Sequence, residues 1–187
     1  MSPPVPHVVV RQSRPSDIDY VERIAELLIE ASRDHDVAVR ERALLEEKIC
    51  DGHAAIILEQ QKLVGFGYIS VWSGNVISHS GVVIDPAFRG RGLFRLIKKV
   101  LIEIGLQLHP SADVISLSSS ALVAKVNRSL GFHDVPLEQL CSDLEFWKGC
   151  FGCRQYHQAQ ISQHANRKNQ FGTYCCCSGM RLFRQTS

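Results

Sequence analysis

Hydrophobic residues recur along the chain with two periods, one typical of helices and one typical of strands. The clearest helix covers residues 93–108. Its apolar face is marked at i, i+3, i+4 and i+7 spacing by Leu93, Leu96, Ile97, Val100, Leu101, Ile104 and Leu108. The charged residues that mostly lie opposite this face are Arg95, Lys98, Lys99 and Glu103. This pattern predicts an amphipathic helix packed on one side.

Strand patterns surround this helix and dominate the first half of the chain. Strands are predicted over 8–10, 54–58, 63–72, 76–84, 114–118 and about 180–183. Further helices are predicted over 16–31, 40–51, 120–130 and 136–148, the first opening with a capping box at Ser16. This order predicts a mixed α/β (α+β) fold with a strand–loop–helix unit in the middle.

The composition indicates one globular domain. The 187 residues are 45% hydrophobic and 21% charged, which excludes general disorder and suits a single domain over residues 1–187. No apolar run reaches the roughly 20 residues of a membrane span, and no secretory signal pattern opens the chain. We therefore expect a cytoplasmic protein with no membrane partner.

The last part of the chain is basic and rich in cysteine. Residues 146–187 hold 6 Lys/Arg and no Asp/Glu, and five of the 7 cysteines lie there. In a reducing compartment such clustering favours metal or redox chemistry. The thiolate set that best suits tetrahedral zinc is Cys150, Cys153, Cys175 and Cys177. Buried reduced cysteines and reactive redox cysteines are the alternatives, and residues 149–178 are predicted to be a metal-stapled insertion before the last strand.

A glycine-rich turn joins the strand over 76–84 to the long helix. Gly90 and Gly92 allow close approach of a ligand to the backbone, and a helix N-terminus presents unpaired N–H groups. Three arginines add positive charge, and no carboxylate lies between Asp85 and Glu103. A pyrophosphate fits such a site, and a glycine turn with solvated arginines is the alternative. The chain lacks a Walker A loop and the Gly-x-Gly-x-x-Gly pattern.

The turn contains Val-x-x-Pro-x-x-Arg-Gly-x-Gly over 83–92, leading from a strand into an amphipathic helix. This pattern resembles the acetyl-CoA signature of the GCN5-related N-acetyltransferase (GNAT) family. Residues 11–17 resemble the opening strand-to-helix segment of that family, and residues 123–132 resemble its later helix ending in Leu-Gly-Phe. The order of elements agrees over roughly residues 8–140.

The resemblance implies a mostly antiparallel twisted sheet flanked by helices, with acetyl-CoA as cosubstrate. It implies that the pantetheine arm pairs, where two strands splay apart, with the backbone of Val82, Val83 and Ile84. It also implies that the pyrophosphate is held by backbone N–H groups of Arg89, Gly90, Arg91, Gly92, Leu93 and Phe94. Asn127 is expected to contact the pantetheine or the thioester region.

The sequence departs from the family pattern at the catalytic positions. Where many members carry a tyrosine that protonates the departing thiolate, this chain has Asn127, and where the turn usually has Gly or Ala it has Phe94. The strand before the turn carries no glutamate. His79 is the candidate general base by its intrinsic pKa, and Ser80 is a candidate for positioning water. His79, Ser80 and Asn127 are therefore the candidate catalytic residues.

The function expected from the resemblance is transfer of the acetyl group of acetyl-CoA to a primary amine, by direct attack in a ternary complex. The acceptor is a small molecule or a peptide. The alternative is a CoA-sensing or macromolecule-binding module with little or no catalysis. Nucleic acid is not an expected partner, because the basic tail shows no recognisable binding module. The oligomeric state stays open, with a homodimer as one candidate.

Overall fold

The computed structural model describes residues 8–34, 37–150 and 177–184. Its strands are β1 (Val8–Gln12), β2 (Ala54–Glu59), β3 (Lys62–Trp72), β4 (Val76–Ile84), β5 (Asp113–Ser118), β6 (His133–Val135) and β7 (Ser178–Leu182). Its α-helices are α1 (Val21–Asp34), α2 (Arg42–Cys50), α3 (Leu93–Leu108), α4 (Ala121–Ser129) and α5 (Leu144–Lys148). No helix within these ranges is long and apolar enough to cross a membrane.

The strands form one sheet in the order β1-β2-β3-β4-β5-β7-β6. Every neighbouring pair is antiparallel except β4 and β5, which run parallel. The parallel pair requires a crossover, and α3 provides it. The mixed, mostly antiparallel sheet that the family resemblance implies is confirmed.

Helices cover both faces of this sheet, and each face has its own apolar core. On one face, α1 and α2 pack on β2 and β3, with Leu28, Ile56 and Phe66 among the buried residues. On the other face, α3 packs through Ile97 against Ile57 and its neighbours. Successive residues of β2 therefore serve opposite cores, which explains why this strand reads as an unbroken apolar run.

Lys98 differs from its predicted position on the exposed side of α3, because only 2% of the residue is exposed. The reason is that α3 is covered from a second direction. A Cβ at Gly105 would lie 2.2 Å from Cδ1 of Ile77 in β4, and the ring of Phe132, which follows α4, lies 5.6 Å from Nζ of Lys98. The buried arc of α3 is wider than its apolar stripe.

Two predicted helices also begin differently. The segment around Ser16 is a 3-10 helix, Pro15–Tyr20, in which buried Asp17 accepts a hydrogen bond from the backbone N–H of Arg14 at 2.7 Å. The region 136–148 is split into a short 3-10 turn and α5. Asp143 starts α5 afresh, because its carboxylate accepts from the backbone N–H of Glu145 at 2.9 Å.

Candidate active site

The parallel strands β4 and β5 separate soon after they meet. They pair at only three positions, Val76 to Ser78 of β4 with Asp113 to Ile115 of β5. Beyond Ser78, β4 continues for six more residues with no partner on its β5 side in the part of the chain that the structure describes. The unpaired edge of β4 therefore borders an open wedge between the two strands, where backbone N–H and C=O groups are available to a ligand.

A β-bulge sets the course of β4 along this wedge. Phe66 pairs with Val83 and Tyr68 pairs with Ser80, so β4 has one extra residue between these pairs. Gly81 lies there with a φ of +57°, and a Cβ at this position would lie 2.8 Å from Cε1 of Tyr68. Only glycine both adopts this positive φ and leaves room for the Tyr68 ring. The resulting bulge fixes the direction in which residues 82–84 run.

The glycine turn after β4 forms a cradle of backbone N–H groups. Gly90 and Gly92 both have a φ of +75°, and a Cβ at either would meet no described residue within 4 Å. The N–H groups of residues 90–94 donate to no backbone acceptor in the described ranges. Unpaired N–H groups at the start of α3, beside open space, make a site for an anion such as a pyrophosphate.

Each arginine of the turn has a defined contact. Arg89 donates from Nε to the carbonyl oxygen of Ile84 at 3.3 Å, and Arg95 donates to Oγ of Ser129 at 3.3 Å, linking α3 to α4. Arg91 forms an ion pair with Glu59 of β2 at 2.6 Å. The fold therefore brings the carboxylate of Glu59 to a turn whose own sequence has none. Because this carboxylate offsets the charge of Arg91, anion binding in the cradle depends more on N–H groups than on formal charge.

Phe94, at the start of α3, packs against other residues of the protein. It packs with Phe88 against the apolar core under α3, and both rings are partly buried. The guanidinium carbon of Arg91 lies 5.3 Å from the centroid of the Phe88 ring. The aromatic residue at this unusual position therefore packs on the protein side of the turn.

His79 and Ser80 lie on opposite faces of β4, because side chains alternate along a strand. His79 shares the α3 face with Ile77, and both of its ring nitrogens are buried without a hydrogen-bond partner in the described residues. Burial, and then the charge of Lys98, lower the pKa of His79 well below its usual range. The ring is neutral at neutral pH.

Asn127 lies in α4 and is fully buried. Its amide nitrogen donates to Oγ of Ser116 in β5 at 2.9 Å, whereas its amide oxygen has no partner in the described ranges. Ser116 is the first residue of β5 after the last pair with β4. The side chain of Asn127 therefore reaches the point where the wedge begins.

The opposite face of β4 carries hydroxyl groups. Ser80 lies across from Tyr68, whose hydroxyl accepts a hydrogen bond from Nε of Arg40 at 2.7 Å. Ser78 accepts from the indole nitrogen of Trp72 at 2.8 Å. A molecule that reaches the wedge from the α1 and α2 side would therefore meet polar groups held by β3 and β4.

Two of the four predicted zinc ligands, Cys153 and Cys175, lie outside the described residues. Cys150 and Cys177 are described, and both pack in one apolar cluster with Leu137, Leu140 and Trp147. Within the described ranges, no three histidine, cysteine, aspartate or glutamate residues come together as a metal site. The zinc site stays a prediction.

The sequence model of the acetyltransferase (GNAT) family matches residues 21–132. The chain belongs to this family. The matched residues extend from α1 through β4, the glycine turn and α3 to Phe132, so they include the wedge and the cradle. None of the curated proteins is significantly similar to this GNAT protein in sequence.

Solved structures share the fold at low sequence identity. Rv2747 from Mycobacterium tuberculosis, in complex with CoA and NLQ, is 19% identical with a TM-score of 0.63, and the match covers 94% of this chain and 98% of that one. A phosphinothricin acetyltransferase from Sinorhizobium meliloti, in complex with AcCoA, is 15% identical with a TM-score of 0.62 and coverage of 94% and 87%. A ribosomal-protein-alanine N-acetyltransferase from Brucella melitensis is 15% identical with a TM-score of 0.63 and coverage of 94% and 99%. At these identities the likeness shows the GNAT fold.

One buried residue beside His79 is not predicted by the sequence pattern. The pattern places Lys98 mostly opposite the apolar face of α3, yet the residue is buried near His79 and Phe132. Its i+7 neighbour Gly105, inside a helix, was a usable signal, because a glycine there indicates close approach of another element on that side of the helix.

Proposed function

We propose that this protein is an acetyl-CoA-dependent N-acetyltransferase that acts on a primary amine of a small molecule or a peptide. The amine attacks the thioester carbonyl directly while both substrates are bound. The C–S bond then breaks, the amide forms, and CoA leaves as a thiol. Membership of the GNAT family supports acyl transfer.

The observation that carries this proposal is the continuity of the wedge with the cradle. The free edge of β4 leads, through Asp85, into the N–H groups of residues 90–94. An extended pantetheine chain requires backbone partners along its amides, and the pyrophosphate at its end requires N–H donors. One continuous stretch of this chain offers both in the order in which CoA carries them.

We infer that the acceptor amine approaches from the face of α1 and α2. Ser78, Ser80 and Tyr68 line that face, and the long α3 covers the other. The nine residues of β4, VISHSGVVI, include no carboxylate, so the proton of the attacking amine goes to water. Ser80 is suited to position that water, because its side chain lies on the acceptor face next to the wedge.

Calorimetry and turnover together test this function. Acetyl-CoA and CoA are titrated into the purified protein, and CoA release is then followed with amino acids, polyamines, a peptide N-terminus and a lysine peptide. The proposal predicts saturable CoA binding and turnover with at least one amine class. Ser80→Ala is expected to lower kcat by about tenfold without changing CoA affinity. This loss is smaller than the roughly 10²–10⁴-fold effect of removing a direct general base, because Ser80 acts only by positioning water.

Two results would contradict the proposal in different ways. Absence of CoA binding would remove the acyl donor, and with it the whole proposal. CoA binding without turnover on any amine would favour a CoA-sensing module, the alternative supported by the lack of a carboxylate on β4.

A further inference from the structure

Three polar side chains lie together at the start of the wedge, and each has buried nitrogen or oxygen atoms that lack a hydrogen bond or an ion pair within the described residues. Both ring nitrogens of His79 and the amide oxygen of Asn127 have no hydrogen-bond partner in the described ranges. Lys98 is 2% exposed, and no ion pair with it occurs between described residues. Each buried polar group left unpaired costs about 1–3 kcal/mol. Such a cluster is retained more readily if a ligand uses it.

The three side chains come from β4, α3 and α4 and meet around one aromatic ring. The His79 ring lies 6.3 Å from the Phe132 ring, centroid to centroid, in an edge-to-face arrangement. Nζ of Lys98 lies 5.6 Å from the centroid of the same ring. The backbone N–H of Phe132 donates to the carbonyl oxygen of Asn127 at 3.1 Å. The group is therefore one cluster, placed between α3 and α4.

This cluster lies at the point where β4 and β5 separate. The last facing pair on the α3 side is Ile77 with Val114. The next residues on that side are His79 and Ser116, and Ser116 accepts the hydrogen bond from Asn127. A chain that enters the wedge along β4 with its pyrophosphate in the cradle has its other end, the thioester, near this point.

The cluster has one group that carries charge near neutral pH. Burial lowers the pKa of Lys98 to about 7, and His79, which faces it from β4, is neutral. Phe132 contributes only its ring. Among the residues that the structure describes, no carboxylate shifts the pKa of Lys98 or His79, so within this part of the chain the lysine has a proton to donate and no anion as its partner. We expect the anion that pairs with Lys98 to arrive with the ligand.

We propose that Lys98 stabilises and protonates the thiolate that leaves when the acetyl group is transferred. This inference rests on the proposed function and names a catalytic residue for it. As the C–S bond breaks, the electron pair stays on sulfur and the Lys98 ammonium donates its proton there. The product is the CoA thiol, and water returns a proton to the neutral amine. Asn127 has no acidic proton at neutral pH and holds Ser116 instead.

The pKa of the thiol of bound CoA tests this role of Lys98 in the absence of an acceptor amine. The ultraviolet absorbance of the thiolate is followed during a pH titration of the CoA complex of the wild-type protein. The thiol of bound CoA is expected to ionise at least one pH unit below that of free CoA, because a nearby ammonium stabilises its anion. Lys98→Met removes the charge at similar length and is expected to abolish this shift.

Two control measurements separate the effect of the Lys98 charge from a structural effect of the substitution. Lys99→Met changes the exposed neighbouring lysine and is expected to leave the thiol shift intact. CoA without its sulfur atom is expected to bind Lys98→Met within twofold of wild type, because it has no thiolate to stabilise. A large loss of affinity for that analogue would show a structural role for Lys98 and overturn the inference.

The outcomes keep the inference apart from the function on which it rests. Binding of CoA with an unshifted thiol, or a shift that persists in Lys98→Met, overturns the role of Lys98 and leaves the transferase intact. Failure of the wild-type protein to bind CoA at all overturns both. Where turnover is measured, kcat of the wild-type protein is expected to fall as pH rises above about 7, and this limb is expected to disappear in Lys98→Met.

Discussion

Arg23 of α1 donates from Nη2 to Oδ2 of Asp85 across 2.8 Å, so the first helix is tied to the residue that ends β4. The other oxygen of Asp85 accepts from the backbone N–H of Ala87 at 3.0 Å. The Asp85 side chain is 8% exposed and that of Arg23 is 30% exposed. One carboxylate thus connects α1 with the beginning of the glycine turn.

Arg23→Gln is expected to weaken CoA binding although residue 23 is distant in sequence from the turn. Loss of the ion pair frees the start of the turn and leaves Asp85 without its cation. We expect a loss of about 1–2 kcal/mol in unfolding free energy, between the values for exposed and buried pairs. We also expect a severalfold rise in the Kd of CoA, measured by calorimetry. The control is Arg42→Gln, whose exposed pair with Glu46 lies away from the turn; an equal effect there would contradict this reading.

Gly92→Ala is expected to reduce CoA affinity through the backbone alone. The residue has a φ of +75°, and an added Cβ meets no atom within 4 Å in the part of the chain that the structure describes. Holding alanine in this left-handed conformation costs about 1–2 kcal/mol, and relaxing from it turns the N–H groups of the cradle away from the ligand. Calorimetry should show a loss of at least about tenfold in CoA affinity.

Gly74→Ala is the matched control for that variant. Gly74 has a φ of +82° and lies in the turn between β3 and β4, and among the described atoms only Oγ of Ser142 lies within 4 Å of its added Cβ. Similar strain is expected to lower stability similarly in urea unfolding while CoA affinity stays at the wild-type value. If both variants lost affinity equally, the effect would be one of general stability and the cradle would have no special role.

Lys98 is expected to make the stability of the protein rise with pH. Its pKa falls from 10.5 in the unfolded chain to about 7 in the folded protein. Between these values the unfolded state binds more protons, so the free energy of unfolding increases with pH. The destabilisation is complete below about pH 7 and vanishes towards pH 10.5.

Lys98→Met isolates this contribution. The variant is expected to be more stable than wild type at pH 6, by several kcal/mol at most, and the difference should shrink steadily up to pH 10. Urea unfolding at a series of pH values gives the two curves, and Lys99→Met should follow the wild-type curve. Parallel curves for wild type and Lys98→Met would show that the lysine titrates normally in the folded protein.

Gly105→Ala is expected to destabilise the contact between α3 and β4. Alanine is intrinsically better than glycine in a helix by about 1 kcal/mol. Here, however, its Cβ would lie 2.2 Å from Cδ1 of fully buried Ile77, and overpacking typically costs about 1–3 kcal/mol. We expect a net loss of about 1 kcal/mol in urea unfolding. Ile77→Val removes the clashing atom, so the double variant should be more stable than the sum of the single changes predicts; simple additivity would contradict the clash.

The local parts of the structure could be predicted from the sequence. The limits of α3 agree because apolar spacing marks them and Gly92 precedes the helix. The turn was identifiable because its chemistry is contiguous: proline ends β4, and two glycines and the first helical turn follow. Signals of this kind depend on residues within a few positions of each other.

What the sequence could not show depends on contacts between distant elements. The ion pair of Arg91 with Glu59 follows from the pairing of β2 with β3 and of β3 with β4, which together bring residue 59 to the turn. Burial of Lys98 depends on α4 and Phe132 covering a second side of α3. The sequence does not show which face of β4 carries His79. Alternation along the strand shows that His79 and Ser80 lie on opposite faces, but only the packing of the helices shows which face is which.

β7 lies between β5 and β6 in the sheet, although it follows both in the sequence and is therefore synthesised after them. Until residues 178–182 have been synthesised and have left the ribosome, β6 lacks its strand partner in the described sheet and β5 presents an open edge. Exposed edges of this kind pair readily with other chains. During translation, we therefore expect this half of the nascent protein to expose unpaired strands for longer than the first half, which favours misassembly there.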